Sequence, residues 1–206
     1  MSKQFVSNKD ESIPLFENKY LDKFTYVHPA MPVIIYIPVV AYFLYRAVIL
    51  TEMSWLLISS LFFSAILVWT LTEYFGHRYA FHLEPKSDVG QYMHHLIHGV
   101  HHDYPNDSKR LVMPIVVSIP LAFLFFGLFH FLLGATYVMA FFPGFVFGYV
   151  CYDMIHYATH HFPMKSGVGL WLKHHHIRHH YQDETNGFGV SSPLWDYVFK
   201  TTYPPK

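Results

Sequence analysis

The chain has 206 residues, of which 52% are hydrophobic and 14% are charged, so the charged share is about half that of ordinary soluble domains. This composition excludes a disordered chain and argues against a soluble globular protein, which makes a membrane protein the first expectation. The 14 basic and 14 acidic residues cancel, so nucleic acid is not an expected partner, and the single cysteine, Cys151, permits neither an intramolecular disulfide nor a cysteine metal cage.

Four apolar stretches are each long enough to cross a hydrocarbon layer as a helix, which takes about 20 residues. In chain order they cover residues 31–50, 55–74, 113–133 and 137–154. Short links at 51–54 and 134–136 join them in pairs, so we expect two helical hairpins with both tight turns on one side. The predicted fold is an all-α integral membrane protein with four transmembrane helices and a helical cap on the opposite side.

The basic residues indicate which side of the membrane this cap faces. All of the 14 lysines and arginines except Arg46 lie outside the predicted spans and their short links. By the positive-inside rule, both termini and the middle segment are cytoplasmic. No apolar core follows the first basic residues, so a cleavable signal peptide is not expected. The predicted single domain comprises segments 1–30, 31–74 (first hairpin), 75–112, 113–154 (second hairpin) and 155–206.

Seventeen histidines, more than the lysines and arginines combined, are the most unusual feature of the composition. All except His28 lie from His77 onward, mostly in four groups that border the spans: GHRYAFH, HHLIHGVHH, HYATHH and HHHIRHH. Three groups contain histidines three and four residues apart, a spacing that directs imidazoles to one helix face. His77 and His82 are five residues apart and would point about 140° apart on an ideal α-helix, so we expect the helix to end or bend between them.

The histidine spacing predicts a centre with two metal ions. Ten imidazoles from four segments could not converge without a metal, because protonated rings repel and neutral rings compete for few donors. One ion has four to six positions, so ten ligands require two ions. The predicted ligands are His77, His82, His98, His101, His102, His156, His160, His176, His179 and His180.

The remaining histidines are not expected to be metal ligands, with the exception of His94, and the whole set has one simpler explanation. A solvated, metal-scavenging histidine tract is one alternative for the whole set. His28 and His130 are expected to be isolated residues at a membrane border or within a span. His94 lies one turn before His98 and could contact a metal or a ligand. We do not expect ligands at three residues that adjoin better-placed histidines, namely His161, His174 and His175.

Acidic and aromatic residues near the histidines are further candidates. Tyr152 and Asp153 precede His156 at the end of the fourth span, and we expect them to orient a ligand imidazole or a substrate head group. A plain hydrogen bond to a neighbouring helix is the alternative, and the same two interpretations apply to Glu73. Phe188, between two glycines, is either a mobile lip or a buried turn. Candidate acceptors for ligand N–H groups are Asp103, Asp107, Asp183 and Asp196.

At these residues the chain resembles the fatty acid hydroxylase superfamily of membrane di-iron enzymes, most closely its fatty acid 2-hydroxylase branch. The resemblance covers residues 69–199 and rests on HRYAFH, HHLIHGVHHDYPNDSKRLVMP, GYVCYDMIHYATHH and HHHIRHHYQDETNGFGVSSPLWDYVF. It implies the same ten histidine ligands and iron as the working metal, with zinc able to occupy the site in purified protein. Eukaryotic members often carry a cytochrome b5 domain with a His-Pro-Gly-Gly motif, which this sequence lacks. A separate electron donor, cytochrome b5-like or ferredoxin-like, is therefore expected.

The implied activity is hydroxylation of an acyl chain at C2, in a fatty acid or a sphingolipid N-acyl group, using dioxygen. The bilayer would supply the acyl lipid to a site on the cytoplasmic side of a bacterial inner membrane or of the endoplasmic reticulum. One alternative is a related hydroxylase or desaturase that acts on carotenoid, sterol or alkane. An alternative from another class is a zinc transporter or metal-binding membrane protein, which predicts polar ligand pairs at mid-membrane that the spans do not offer.

Overall fold

The computed structural model describes residues 5–82 and 85–204, so the outermost residues of the predicted terminal segments lie outside the described residues. Every regular element in these ranges is helical, which confirms the all-α prediction for this part of the chain. Two π-helical turns, Gly76–Phe81 and His95–Gly99, interrupt the α-helical elements. The α-helices are α1 Lys19–Lys23, α2 Met31–Leu50, α3 Trp55–Phe75, α4 Asp88–His94, α5 Val100–Asp103, α6 Ile115–His161, α7 Gly167–Tyr181 and α8 Leu194–Phe199.

Among the described residues, three helices, rather than the four predicted, are long and apolar enough to cross a membrane: α2, α3 with its π turn (Trp55–Phe81), and α6. The difference arises because the fourth predicted stretch, and all but the first two residues of the third, lie in the 47 residues of α6. α6 also continues past the last apolar residues to His161, since backbone hydrogen bonds propagate through polar positions as well as apolar ones.

The backbone of α6 departs from helical geometry at Gly134. Its φ of +77° and ψ of 171° suit glycine, which has no Cβ to clash in this region. Phe125 and Phe145 lie on opposite sides of Gly134 in sequence, yet their ring centroids are 4.7 Å apart. A straight helix would separate residues at this spacing by about 30 Å. Residues 115–133 and 135–161 therefore lie side by side as two arms of α6.

The core forms where α2 and α3 pack on the two arms of α6. Buried side chains from all three helices meet there, among them Tyr36, Trp69 and Phe142. Gly144 permits close packing, because a Cβ at this position would collide with the backbone of Phe62. Large apolar side chains cover the outer faces, and Phe131 is 84% exposed. Such faces suit contact with hydrocarbon rather than water.

The N-terminal segment packs on the histidine-rich segment that follows α4. The backbone N–H of Val6 donates to the carbonyl of Asp103 at 2.9 Å, and that of Val27 donates to Lys109 at 2.7 Å. Arg110 connects the two segments further, because its guanidinium donates to Thr25 at 3.0 Å and to Asp22 at 3.2 Å. These contacts fix the region between α5 and α6 against the start of the chain.

Candidate metal centre

The structure brings all ten predicted histidines together in two groups of five, and within each group the candidate ligand atoms lie within 4.8 Å of one another. We call these groups the first and second clusters. The first cluster contains His77, His82, His98, His102 and His179. The second cluster contains His101, His156, His160, His176 and His180.

The π turn at Gly76–Phe81 explains how His77 and His82 converge. In a π-helix, hydrogen bonds connect residues five apart, so side chains at this spacing align instead of diverging. The Nε2 atoms of the two rings are 3.2 Å apart. The expected break between these histidines is therefore a change of helix type, followed by the end of the helix at His82.

Adjacent residues on two helices serve different clusters. Successive residues on an α-helix point about 100° apart. His102 in α5 accordingly belongs to the first cluster and its neighbour His101 to the second, while His179 and His180 divide in the same way on α7. Because α5 and α7 each supply both clusters, the two groups lie next to each other.

The ring nitrogens converge in the manner expected of metal ligands. The Nε2 atoms of His101 and His156 are 2.9 Å apart, as are those of His160 and His176. Two nitrogens bound about 2.05 Å from one ion at a right angle would be about 2.9 Å apart. The observed separations therefore match neighbouring positions around a metal ion.

The electrostatic surroundings favour neutral imidazoles, which is the form that binds metals. Burial, together with the neighbouring imidazoles, holds the pKa of His98, His101 and His176 well below the usual 6.5. The same causes lower the pKa of His102 to about 2. At neutral pH each of these rings is therefore uncharged, with one N–H group and one nitrogen free to bind a metal. A donor set of this kind suits two first-row transition metal ions.

Backbone carbonyls, not the predicted carboxylates, accept from the outer nitrogens of the first cluster. His77 donates from Nδ1 to the carbonyl of Phe188 at 2.6 Å, and His179 donates to the carbonyl of Asn186 at 2.8 Å. His102 has Nδ1 3.7 Å from a carboxylate oxygen of Glu184. Sequence reasoning missed both carbonyl acceptors, because backbone carbonyls leave no residue-type signal, and it did not single out Glu184 within the last histidine-rich motif.

The four predicted aspartate acceptors have other contacts. Asp196 is fully buried and accepts from the N–H groups of Phe188 and Gly189. Asp107 accepts from Ser12, and Asp183 from Thr185 and Asn186, while Asp103 lies 3.8 Å from His95. Within the described residues, none of the four forms a hydrogen bond with a histidine of either cluster.

The other histidines lie outside both clusters. His28 and His130 are exposed, and His161 and His174 are not among the converging residues. His175 has Nε2 3.1 Å from Asp196 instead. His94, whose role the sequence left open, also lies outside the clusters.

Glu73 and Phe188 have structural roles. Glu73 is buried and accepts from the N–H groups of Val190 and Ser191 at 2.6 and 2.8 Å, so it bonds to a neighbouring segment rather than to a histidine. Phe188 is 5% exposed and belongs to a buried turn rather than a mobile lip. Both residues therefore support the segment that contacts His77 and His179.

An apolar cavity of about 320 Å³ borders the first cluster at His77. Its walls come from α2, α3 and both arms of α6, and they include Phe125, Phe145 and Tyr152. Two buried donors in the wall, Trp69 Nε1 and Tyr149 Oη, make no hydrogen bond of normal geometry among the described residues, although Asp153 and Ser118 lie beside the Tyr149 hydroxyl. The cavity thus combines an apolar lumen with two donors available to a polar group.

The two predicted catalytic residues lie at different positions relative to this cavity. Tyr152 lines it, and its ring stacks on that of His156 with centroids 5.7 Å apart. Asp153 is buried, and its Oδ2 accepts from the N–H of Met113 at 3.4 Å. Tyr152 is therefore the residue of the pair that a bound molecule would contact.

Comparisons with known proteins agree with this geometry. The fatty acid hydroxylase family model matches residues 62–201. The ceramide very long chain fatty acid hydroxylase SCS7 of Saccharomyces cerevisiae is 39% identical over 197 residues, covering 94% of this chain and 50% of the relative. The fatty acid 2-hydroxylase of Homo sapiens is 39% identical over 149 residues, covering 71% of this chain and 40% of the relative.

A solved structure is similar over most of the chain. It is the hydroxylase domain of full-length scs7p, with a TM-score of 0.86 and 37% identity, covering 93% of this chain and 72% of that one. The chain spans about half the length of the curated relatives it matches, since the matched share of each is 50% for the yeast protein and 57% for a dihydroceramide fatty acyl 2-hydroxylase of Arabidopsis thaliana.

Proposed function

The chain belongs to the fatty acid hydroxylase family, and on that basis we propose that it is a membrane di-iron monooxygenase that hydroxylates an acyl chain at C2. The observation that carries this proposal is the pair of five-histidine clusters beside an apolar cavity. The relatives named as fatty acid 2-hydroxylases and as dihydroceramide fatty acyl 2-hydroxylases support both the reaction and an acyl substrate, free or amide-linked.

The ten clustered histidines are the proposed ligands of two iron ions, one in each cluster. Imidazole ligands also suit zinc, copper and nickel, so family membership rather than ligand type favours iron, and zinc can occupy the same site in purified protein. When bound, two iron ions would supply the activation of dioxygen: two electrons and two protons from outside the substrate, together with two electrons from the C–H bond, would reduce O₂ so that one oxygen atom enters the product as a hydroxyl group and the other leaves as water. The electrons come from a separate cytochrome b5-like or ferredoxin-like donor.

The protein's own residues bind and orient the substrate. The aromatic walls at Phe125 and Phe145 accept an acyl chain and exclude water from the space beside His77. Trp69 Nε1 and Tyr149 Oη offer hydrogen bonds to a carboxyl, amide or hydroxyl oxygen near the head of the chain.

Tyr152 and Asp153 complete the proposed reaction site. Tyr152 lies between the cavity and His156, so we assign it a substrate contact. Asp153 is one helical turn before His156 and holds the N–H of Met113, so its proposed role is to position the end of this arm of α6 relative to the cavity.

The proposed topology has four transmembrane helices in two hairpins below a cytoplasmic cap. The reversal at Gly134 supports it, since each arm of α6 has about the 20 residues that a span requires. The distribution of lysine and arginine supports cytoplasmic termini and a cytoplasmic metal centre. A single hydroxylase domain with this topology would lie in a bacterial inner membrane or in the endoplasmic reticulum.

The test is to express the chain with an electron donor and analyse both metals and lipids. We expect iron in the purified protein and 2-hydroxyacyl lipids that take their new oxygen atom from ¹⁸O₂ and not from labelled water. Oxygenated carotenoid, sterol or alkane would favour the related hydroxylases instead. Zinc uptake by vesicles without any oxygen-dependent product would overturn the proposal.

A further inference from the structure

We propose that the two clusters are unequal metal sites, and that Asp196 makes the first cluster the tighter one by fixing the loop that orients His77 and His179. This inference rests on the proposed function, because it assumes that both clusters bind metal. It concerns the relative affinity of the two sites and the residue responsible for the difference.

The loop formed by residues 186–189 sets the orientation of two first-cluster rings. The carbonyl of Phe188 accepts from Nδ1 of His77, and the carbonyl of Asn186 accepts from Nδ1 of His179. A ring that donates from Nδ1 must present the lone pair of Nε2 to its cluster. Contacts of this kind fix both the tautomer and the ring direction before a metal arrives.

Asp196 holds this loop in place. Its Oδ1 accepts from the N–H of Phe188 at 2.9 Å, and its Oδ2 accepts from the N–H of Gly189 at 2.8 Å. The hydroxyl of Thr201 donates to Oδ1 at 2.8 Å, and Nε2 of His175 lies 3.1 Å from Oδ2. The carboxylate is fully buried, so water does not compete for these bonds.

Glycine at two positions allows the loop to take this path. Gly187 has a φ of +75°, and a Cβ there would collide with the ring of Tyr203. A Cβ on Gly189 would collide with the carbonyl of Ser192 and would lie 3.0 Å from Oδ2 of Asp196. The loop is therefore fitted closely around the carboxylate, and its two carbonyls have little freedom to move.

The second cluster has no comparable support among the residues that the structure describes. The Nδ1 atoms of four of its rings are buried without a hydrogen-bond partner there: His156, His160, His176 and His180. Nothing in that part of the chain selects the tautomer that aims Nε2 at the cluster. A metal must therefore select the tautomer on binding, which lowers the affinity of this site relative to the first.

The expected size of the difference comes from other metalloproteins. Loss of a partner that orients a ligand histidine typically costs about 10- to 100-fold in metal affinity. Two rings of the first cluster have such partners at hydrogen-bond distance. We therefore expect the first cluster to bind metal at least about tenfold more tightly than the second.

The experiment is a titration of metal-free protein in detergent with Zn²⁺ against a chromophoric chelator. Two binding steps are expected. His82→Ala should abolish the tight step and keep the weak one, whereas His160→Ala should do the reverse. Asp196→Asn should weaken the tight step by about 10- to 100-fold and change the weak step little, because an amide cannot accept from both loop N–H groups through both of its terminal atoms.

Asp22→Asn is the matched control for Asp196→Asn. It also removes a largely buried carboxylate of the cap, but Asp22 bonds to Leu15, Tyr26 and Arg110 and to no histidine. We expect both Zn²⁺ steps to be unchanged in this variant. If Asp196→Asn does not fold, Thr201→Val removes one bond to the same carboxylate and should weaken the tight step in the same direction, by a smaller factor.

Equal affinities for the two sites would overturn the inference and leave the proposed function intact. A tight step that is lost in His160→Ala, or equal weakening of both steps by Asp196→Asn, would also overturn it. Failure of the unmodified protein to bind any Zn²⁺ would reject the proposed metal centre together with the inference.

Discussion

The guanidinium of Arg110 contacts the carboxylate of Asp22 with Nη2 3.2 Å from Oδ1, and this ion pair joins residues 88 positions apart. Both side chains are largely buried, and the guanidinium also lies over the ring of Tyr26 at 4.4 Å. Breaking a buried pair by removing one partner costs about 3–5 kcal/mol, because the other charge stays unpaired. We expect Arg110→Met to lower the melting temperature in detergent by roughly 6 °C or more.

Thermal unfolding of three further variants checks this origin of the loss. Lys23→Met removes an exposed cation of the same N-terminal region and should change the melting temperature little. The loss in the double variant Asp22→Asn with Arg110→Met should be smaller than the sum of the losses in Arg110→Met and in Asp22→Asn alone, since the Asp22–Arg110 pair is counted twice in that sum. Asp107, 3.6 Å from Arg110, lacks its cation in both variants without the arginine. A double variant whose losses simply add would show that the pair is not coupled.

The same carboxylate predicts how stability depends on pH. Burial opposes ionisation of Asp22, but the N–H of Leu15, the hydroxyl of Tyr26 and the charge of Arg110 outweigh it and lower the pKa below 3.8. A carboxyl group with a lowered pKa stabilises the folded state above its unfolded pKa, and this stability is lost as the pH falls through the folded pKa. The melting-temperature advantage of the unmodified protein over Asp22→Asn should therefore be constant near pH 7 and shrink below about pH 4.

This comparison is made on metal-free protein, so that release of metal in acid does not contribute. Protonation of the histidines then affects both proteins alike and cancels in the difference. An advantage that stays constant down to pH 3 would mean that the shape of the carboxyl group, rather than its charge, stabilises the fold.

The sequence predicted the converging histidines because a periodic pattern encodes which helix face a residue occupies. His98 and His102 are four residues apart on adjoining helical turns, and their Nε2 atoms are 3.0 Å apart. Local geometry of this kind depends only on the helix repeat and needs no knowledge of the rest of the fold. The division between the clusters differs from the prediction: the spacing of His98 and His101, three residues apart, predicts that they point to one site, but they fall in different clusters, as do His176 and His179.

Other features depend on tertiary contacts that no local pattern encodes. The π turn at Gly76–Phe81 replaces the expected break. The helix type at this point depends on where the other histidines of the first cluster lie relative to His77 and His82. The acceptors for His77 and His179 are backbone carbonyls of a distant loop. The cavity combines residues from three helices, so its size and its free donors follow from packing rather than from any motif.

Substitution of the proposed ligands tests the clusters against isolated histidines. We expect His98→Ala or His176→Ala to abolish hydroxylation and to lower the metal content, because the remaining imidazoles hold an ion less tightly. His28→Ala and His130→Ala remove exposed rings outside the clusters and should change neither property. Metal analysis and lipid analysis of the same membranes measure both effects. Full activity in either cluster variant would contradict its assignment as a ligand.

The hydroxyl of Tyr149 provides a test of substrate binding in the cavity. This buried hydroxyl makes no hydrogen bond of normal geometry within the described residues, although Asp153 and Ser118 lie beside it, whereas the hydroxyl of Tyr36 donates to Ser118 at 2.8 Å. If the Tyr149 hydroxyl binds the substrate, Tyr149→Phe should raise KM by roughly tenfold or more, because the bound molecule then loses a hydrogen bond in a buried site. Tyr36→Phe should instead destabilise the protein by about 1 kcal/mol and affect KM less. An unchanged KM in Tyr149→Phe would remove this residue from the proposed substrate site.

The volume of the cavity predicts a dependence on acyl chain length. Ala122 lies in the cavity wall, so Ala122→Trp would fill part of the lumen with an indole ring. Leu124 is two residues away on the same arm of α6 but is 64% exposed, so Leu124→Trp adds the same ring to the outer surface. Analysis of the 2-hydroxyacyl products should show a shift toward shorter chains for Ala122→Trp, because the long chains no longer fit, and an unchanged profile for Leu124→Trp. Equal chain-length profiles in all three proteins would mean that the acyl chain binds outside this cavity.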